Sequence, residues 1–182
     1  MDGHPCHVIV MGISGSGKTT IATRLAEQLG WIFAEADDFH PAANIARMSS
    51  GTPLTDEDRR PWLESLRDWM TAQARAGRST VVTCSALRRS YRDVLTQAEG
   101  SVRFVHLLGD TGLILERMKT RSGHFMPESL LPSQVSTLEP LQPDEQGIRI
   151  ENTGTPDAVT AAVIDRLRLR HGHSSSLPGQ DG

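Results

Sequence analysis

The run Gly12-Ile13-Ser14-Gly15-Ser16-Gly17-Lys18-Thr19 carries the plainest chemistry in this sequence. It fits G-x-x-x-x-G-K-[ST], in which glycines let the backbone curl so that successive N–H groups converge on one anion. A helix starting at the lysine would add its positive N-terminal end. Lys18 would then reach the β- and γ-phosphates of ATP, and the Thr19 hydroxyl would ligate Mg²⁺. Gly12, Ser14, Gly15, Ser16, Gly17, Lys18, Thr19 and Thr20 are therefore the candidate nucleotide-binding residues. Given this chain's own glycine, lysine, serine and threonine frequencies, such a match arises by chance roughly 0.2–0.3% of the time. Of the 19 basic residues only Lys18 and Lys119 are lysine, so a lysine at the motif's cation position is the more telling.

A second group of residues suits an acceptor. Asp37 stands at the expected end of a strand, where open α/β sheets place ligand-binding groups; Asp37 or Asp38 could instead cap a helix. His40 follows three residues later, suited either to bonding hydroxyls or to bracing the loop before Pro41. Arg47, Arg59, Arg88, Arg89 and Arg92 are cations able to grip a carboxylate with paired hydrogen bonds. In so arginine-rich a chain, though, most arginines should be solvated surface. Trp62 and Trp69 share helical spacing with leucines and read as core.

The elements that must position these groups alternate. Strands are expected at His7–Met11, Trp31–Ala36, Ser79–Thr83, Val102–Leu108 and Ile148–Ile150. Helices are expected at Lys18–Leu29, between Asp56 and Ala76, at Tyr91–Ala98, around Ile114–Lys119 and at Val159–Leu169. That order predicts an α/β fold: a mostly parallel five-stranded sheet with helices on both faces. Residues 1–170 are expected to form one P-loop domain, and the Ser-, Gly- and His-rich stretch 171–182 a disordered tail. A segment holding four prolines, His124 to Pro143, interrupts the alternation before the last strand.

Composition narrows the function. The chain has 182 residues, with 22 acidic against 19 basic side chains and a net charge of −3, which argues against a nucleic-acid coat. No apolar run approaches the ~18 residues of a membrane span, and the N-terminus lacks a secretion-signal layout. Two cysteines make no disulfide framework, so a cytoplasmic protein with reduced thiols is expected. Neither lysine follows an asparagine, as a GTPase's base-reading motif would require. The third strand ends in Cys84-Ser85, not in the aspartate of a motor or transporter ATPase. A compact kinase of a small molecule remains.

The sequence resembles the P-loop gluconokinases from about Val8 to about Leu167. The resemblance is carried by Gly12–Thr19, then Ala36-Asp37-Asp38-Phe39-His40-Pro41 with Asn44-Ile45 and Met48. It continues in Gly51-Thr52-Pro53-Leu54, Asp56–Arg59, Pro61-Trp62-Leu63, Cys84–Leu87 and Tyr91-Arg92-Asp93. Gly123–Leu131 with Ser133-Gln134 completes it. Departures are Ala36, where relatives often have glycine, Arg47 and Arg88, where they often have lysine, and Pro140-Leu141-Gln142.

The resemblance implies an NMP- and shikimate-kinase-like P-loop fold with a lid at about 121–143. It implies ATP-dependent phosphorylation of D-gluconate on its 6-hydroxyl, with Mg²⁺, in a homodimer without nucleic-acid or membrane partners. Lys18, Asp37 and Arg121 would be catalytic, Asp37 orienting the alcohol or taking its proton. Arg117 and Arg121 would meet the nucleotide's phosphates, and Asp37, His40, Arg47, Arg59, Arg88 and His124 the acceptor. Two rivals stand beside this reading: a kinase of another hydroxy acid such as shikimate, and a nucleotide-driven switch without catalysis. The His40-Pro41, Trp62 and His124-Phe125 blocks weigh against the first, and Asp37 together with Lys18 and Thr19 against the second.

Overall fold

The computed structural model describes residues 3–109 and 131–169, with 131–133 described in their backbone alone. Five strands form an all-parallel sheet: β1 (Cys6–Met11), β2 (Ile32–Glu35), β3 (Thr80–Thr83), β4 (Ser101–Leu108) and β5 (Gly147–Glu151), in the order β2-β3-β1-β4-β5. The helices are α1 (Lys18–Leu29), α2 (Ala42–Ser49), α3 (Asp56–Arg75), α4 (Arg89–Leu95), α5 (Leu131–Thr137) and α6 (Pro156–Leu167), with a 3-10 turn at Ala36–Phe39.

Strand periodicity sorts the core into two layers. Val8 and Val10 of β1 face Ile21, Leu25 and Leu29 of α1 and Val159, Val163 and Leu167 of α6. Their alternates Ile9 and Met11 face Trp62, Leu63, Leu66 and Met70 of α3 and Tyr91 and Leu95 of α4. Trp62 is 2% exposed and Trp69 packs against the same layer, so both tryptophans are core as expected. β1 is central, between β3 and β4. Its own crossover leads to β2 on one side while that from β3 passes over to β4 on the other, so the sheet's switch point lies at the carboxyl ends of β1 and β3. The phosphate loop follows β1 there.

All five expected strands are present with ends shifted by a residue or two. Two helices were not expected. α2 buries only Asn44 and Met48, so it has no apolar stripe to announce it. α5 lies within the proline-bearing segment and exposes Val135. The helix expected around Ile114–Lys119 and the tail at 171–182 lie outside the described residues, as does the part of the expected lid at 121–130. Among the described residues no helix is long and apolar enough to cross a membrane.

Candidate active site

A cleft opens at the carboxyl end of the sheet, lined among others by Ser14, Gly15, Gly17, Lys18, Thr19, Glu35, Asp37, Ser85 and Gln134. The phosphate loop is shaped by its glycines. Gly17 caps α1 in the left-handed region at φ 93°, and a Cβ there would lie 2.5 Å from Asn152 Nδ2. That Asn152 amide, just beyond β5, donates to Ser16 O at 2.7 Å and braces the loop from behind. Lys18 Nζ donates to Gly12 O at 3.0 Å and Ile13 O at 2.9 Å, folded over the loop it is to serve. Thr20 is exposed on the first turn of α1, outside the cleft lining.

The carboxylate that β3 lacks at its end is supplied by its neighbour. Glu35 closes β2, accepting from Thr19 Oγ1 at 2.8 Å through Oε1 and from Thr83 Oγ1 at 2.7 Å through Oε2. A hydroxyl and a carboxylate side by side form a hard-oxygen donor pair of the kind Mg²⁺ takes, the remaining ligands being water and phosphate. No group of three or more His, Cys, Asp or Glu converges as a metal site among the described residues. Glu35 had no role in the sequence reading, because one acidic residue at a strand end carries no spacing signature.

Asp37 lies in the 3-10 turn after β2 and lines the cleft together with Lys18. Neither Asp37 nor Asp38 is a helix N-cap: Glu35 holds that place for the 3-10 turn and Pro41 for α2. His40 is buried, its ring stacked on Trp62 at 4.0 Å between centroids, while the Trp62 indole donates to Ala36 O at 2.6 Å. Burial and the nearby Arg59 charge push the His40 imidazole down to about 4, so it is neutral at physiological pH. Its Nε2 stands 3.9 Å from Asp37 Oδ1. Of the two roles open for His40, the geometry favours bracing: its side chain is only 3% exposed and is absent from the cleft lining.

Among the described residues the candidate arginines are all engaged by other protein groups, three of them around the start of α3. Thr55 and Asp58 form a reciprocal capping box, and Arg47 pairs with the same Asp58. Arg59 donates to Leu54 O and to Tyr91 Oη, Tyr91 donates to Asp56, and Arg88 reaches Asp56 at 3.3 Å. Arg47, Arg59 and Arg88 thus gather on one side, near the cleft but not in its lining. Arg89 pairs with Asp144 at the surface. Arg92 is fully buried, paired with Glu145 at 2.6 Å, so its guanidinium is structural and not surface. Arg117, Arg121 and His124 lie outside the described residues.

Sequence reasoning also left Ser85 and Gln134 without roles. Ser85 follows β3, and Gln134 of α5 accepts from the Ser14 backbone N–H at 2.7 Å, tying the phosphate loop to the far side of the cleft. Both sit in blocks that carry the family resemblance, the only signal that could have found them.

Comparison with known proteins agrees with this geometry. A family model described as an AAA domain matches residues 8–141. The gluconokinase of Gluconobacter oxydans is 51% identical over 160 residues, 88% of this chain and 90% of that protein. The unliganded crystal structure of a sugar kinase from Janibacter sp. HTCC2649 superposes with a TM-score of 0.87 at 55% identity, covering 91% of this chain and 95% of its own. A gluconokinase structure from Sinorhizobium meliloti gives a TM-score of 0.79 at 40% identity, covering 91% and 93%.

Proposed function

This chain belongs to the gluconokinase family, and from that membership we infer that it transfers the terminal phosphoryl group of ATP to the 6-hydroxyl of D-gluconate. The products are 6-phospho-D-gluconate and ADP. The observation that carries the reading is the cleft itself, which Asp37, Lys18 and Thr19 line together at the sheet's switch point.

In the reaction a bond forms between gluconate O6 and the γ-phosphorus while the bond to the β–γ bridging oxygen breaks. Asp37 orients the hydroxyl and takes its proton; ADP leaves with the bridging oxygen. The transition state is loose, so placement and charge count for more than basicity. The loop's N–H groups and Lys18 hold the phosphates. Thr19, with Glu35 behind it, is the pair that would hold Mg²⁺; when bound, the ion neutralises charge on the β- and γ-phosphates. His40, fixed by Trp62, keeps the turn bearing Asp37 in place. Arg47, Arg59 and Arg88 are the cations offered to the gluconate carboxylate, Arg47 and Arg88 by exchange with the aspartates that hold them and Arg59 by release from Leu54 O and Tyr91 Oη. Arg117, Arg121 and His124, outside the described residues, are the further cations that family resemblance offers to the phosphates and the acceptor. The protein works in the cytoplasm, as a homodimer.

Identifying the product tests this. Incubation with MgATP and D-gluconate should yield an acid phosphorylated at carbon 6, visible as a ³¹P resonance coupled to the two C6 protons. Phosphate on another carbon, or none, would contradict it.

A further inference from the structure

The turn after β3 is pinned at unusual expense. Ala86 is fully buried and adopts φ 43°, in the left-handed region that L-residues with a Cβ seldom occupy. Such strain persists only where surroundings over-determine it. Here they do. Cys84 N donates to Val10 O at 3.1 Å and Gly12 N to Ser85 O at 3.4 Å. Glu139 N donates to Leu87 O at 2.7 Å. Ala86 O accepts from Arg92 Nη1 at 2.9 Å, and the same Nη1 donates to Glu139 O at 3.1 Å. The rest of that guanidinium is spent on Glu145, Nε to Oε1 at 2.6 Å and Nη2 to Oε2 at 2.9 Å.

A fully buried arginine that ties a left-handed alanine to Glu139 and Glu145 does more than fill space. Packing alone would be served as well by an apolar residue, since a buried ion pair rarely adds net stability over one. What the arrangement fixes is the direction of the chain at Ser85, the one residue of the turn that is neither fully buried nor strained and that lines the cleft with Asp37 and Lys18.

We propose that Arg92 is a positioning residue for the acceptor: by holding Ala86 in its left-handed conformation it aims the Ser85 hydroxyl at the hydroxy-acid substrate. Arg92 touches no reacting atom; Ser85 makes the contact. The inference rests on the proposed function for its substrate class.

Steady-state kinetics on three variants test it, with the acceptor that the wild-type protein turns over fastest in a panel of hydroxy acids. Failure of gluconate in wild type then strikes the proposed function, whereas the variants strike this inference alone. Ser85→Ala should raise the acceptor KM about 3–10-fold, the worth of one hydrogen bond, with the Kd of ADP within about twofold. Arg92→Met with Glu145→Gln, which leaves no buried charge unpaired, should raise it at least as much, again sparing ADP. Adding Ala86→Gly to that pair should bring KM back to within about twofold of wild type, because glycine takes positive φ unaided. A merely structural Arg92 gives the opposite result, since glycine only loosens the fold further. Unchanged KM in Ser85→Ala, or no recovery with Ala86→Gly, overturns the proposal. Should the Arg92 pair not fold, Arg92→Lys, which keeps the charge beside Glu145 but lacks the guanidinium's forked reach to Ala86 O, is read the same way with and without Ala86→Gly.

Discussion

The two walls of the cleft are built on different principles. The nucleotide wall is one contiguous stretch, Gly12 to Thr19, made mainly of backbone: N–H groups, a helix start and a single side-chain cation. The proposed acceptor wall joins the end of β2, with Glu35 and Asp37, to the β3–α4 turn, and side chains of α2, α3 and the segment after α5 form the polar network around it. Asp58 alone serves Thr55 and Arg47, and Asp56 serves Tyr91 and Arg88. A backbone-made wall depends on few residues and tolerates change around them. A side-chain-made wall can be retuned for a different acceptor, yet any one loss propagates.

The sharpest break in that comparison should come from one residue on each wall. Lys18→Met should lower kcat by about 10²–10⁴ and weaken ATP binding as well. Asp37→Asn should lower kcat about 10²–10⁴ with ADP affinity nearly intact, measured by calorimetry. If Asp37→Asn instead lost ADP, the two walls would not be separable.

Stability should differ between the walls too. Glu145→Ala strands the buried Arg92 charge and should cost about 3–5 kcal/mol, seen as a lower urea midpoint. Thr55→Ala, which removes one half of the α3 capping box, should cost only about 1 kcal/mol. Equal losses would mean that the Arg92 network carries no more than an ordinary helix cap.

A further difference concerns pH. His40, and His106 on β4, are both held down to about 4, first by burial and then by nearby arginines, against an ordinary value of 6.5. Below 6.5 the unfolded chain takes up protons that the folded one refuses, so stability should fall as pH drops from 6.5 toward 4. Urea midpoints at pH 7.5 and pH 5.0 check this; a midpoint that stays flat or rises toward acid would contradict it.

The same contrast governs what could be read in advance. The phosphate loop, the five strands and the apolar stripes of α1 and α3 were legible because contiguous spacing encodes them. The acceptor wall was not. Arg92 looked like one more cation until its burial against Glu145 appeared, and Glu35 took its place only when the sheet set β2 beside β3. Helix α2 stayed hidden because Asn44, not an apolar stripe, anchors it: its amide donates to Asp58 O at 2.8 Å. Long-range polar contacts leave no periodicity, so resemblance to a family, not spacing, pointed to that wall.

The central claim is that this cleft phosphorylates gluconate. A coupled ADP-release assay with MgATP across D-gluconate, shikimate, glycerate and nucleoside monophosphates tests it most directly. The account predicts ADP release that depends on gluconate and is far slower with the others. ADP release indifferent to gluconate, or fastest with another acceptor, would contradict it.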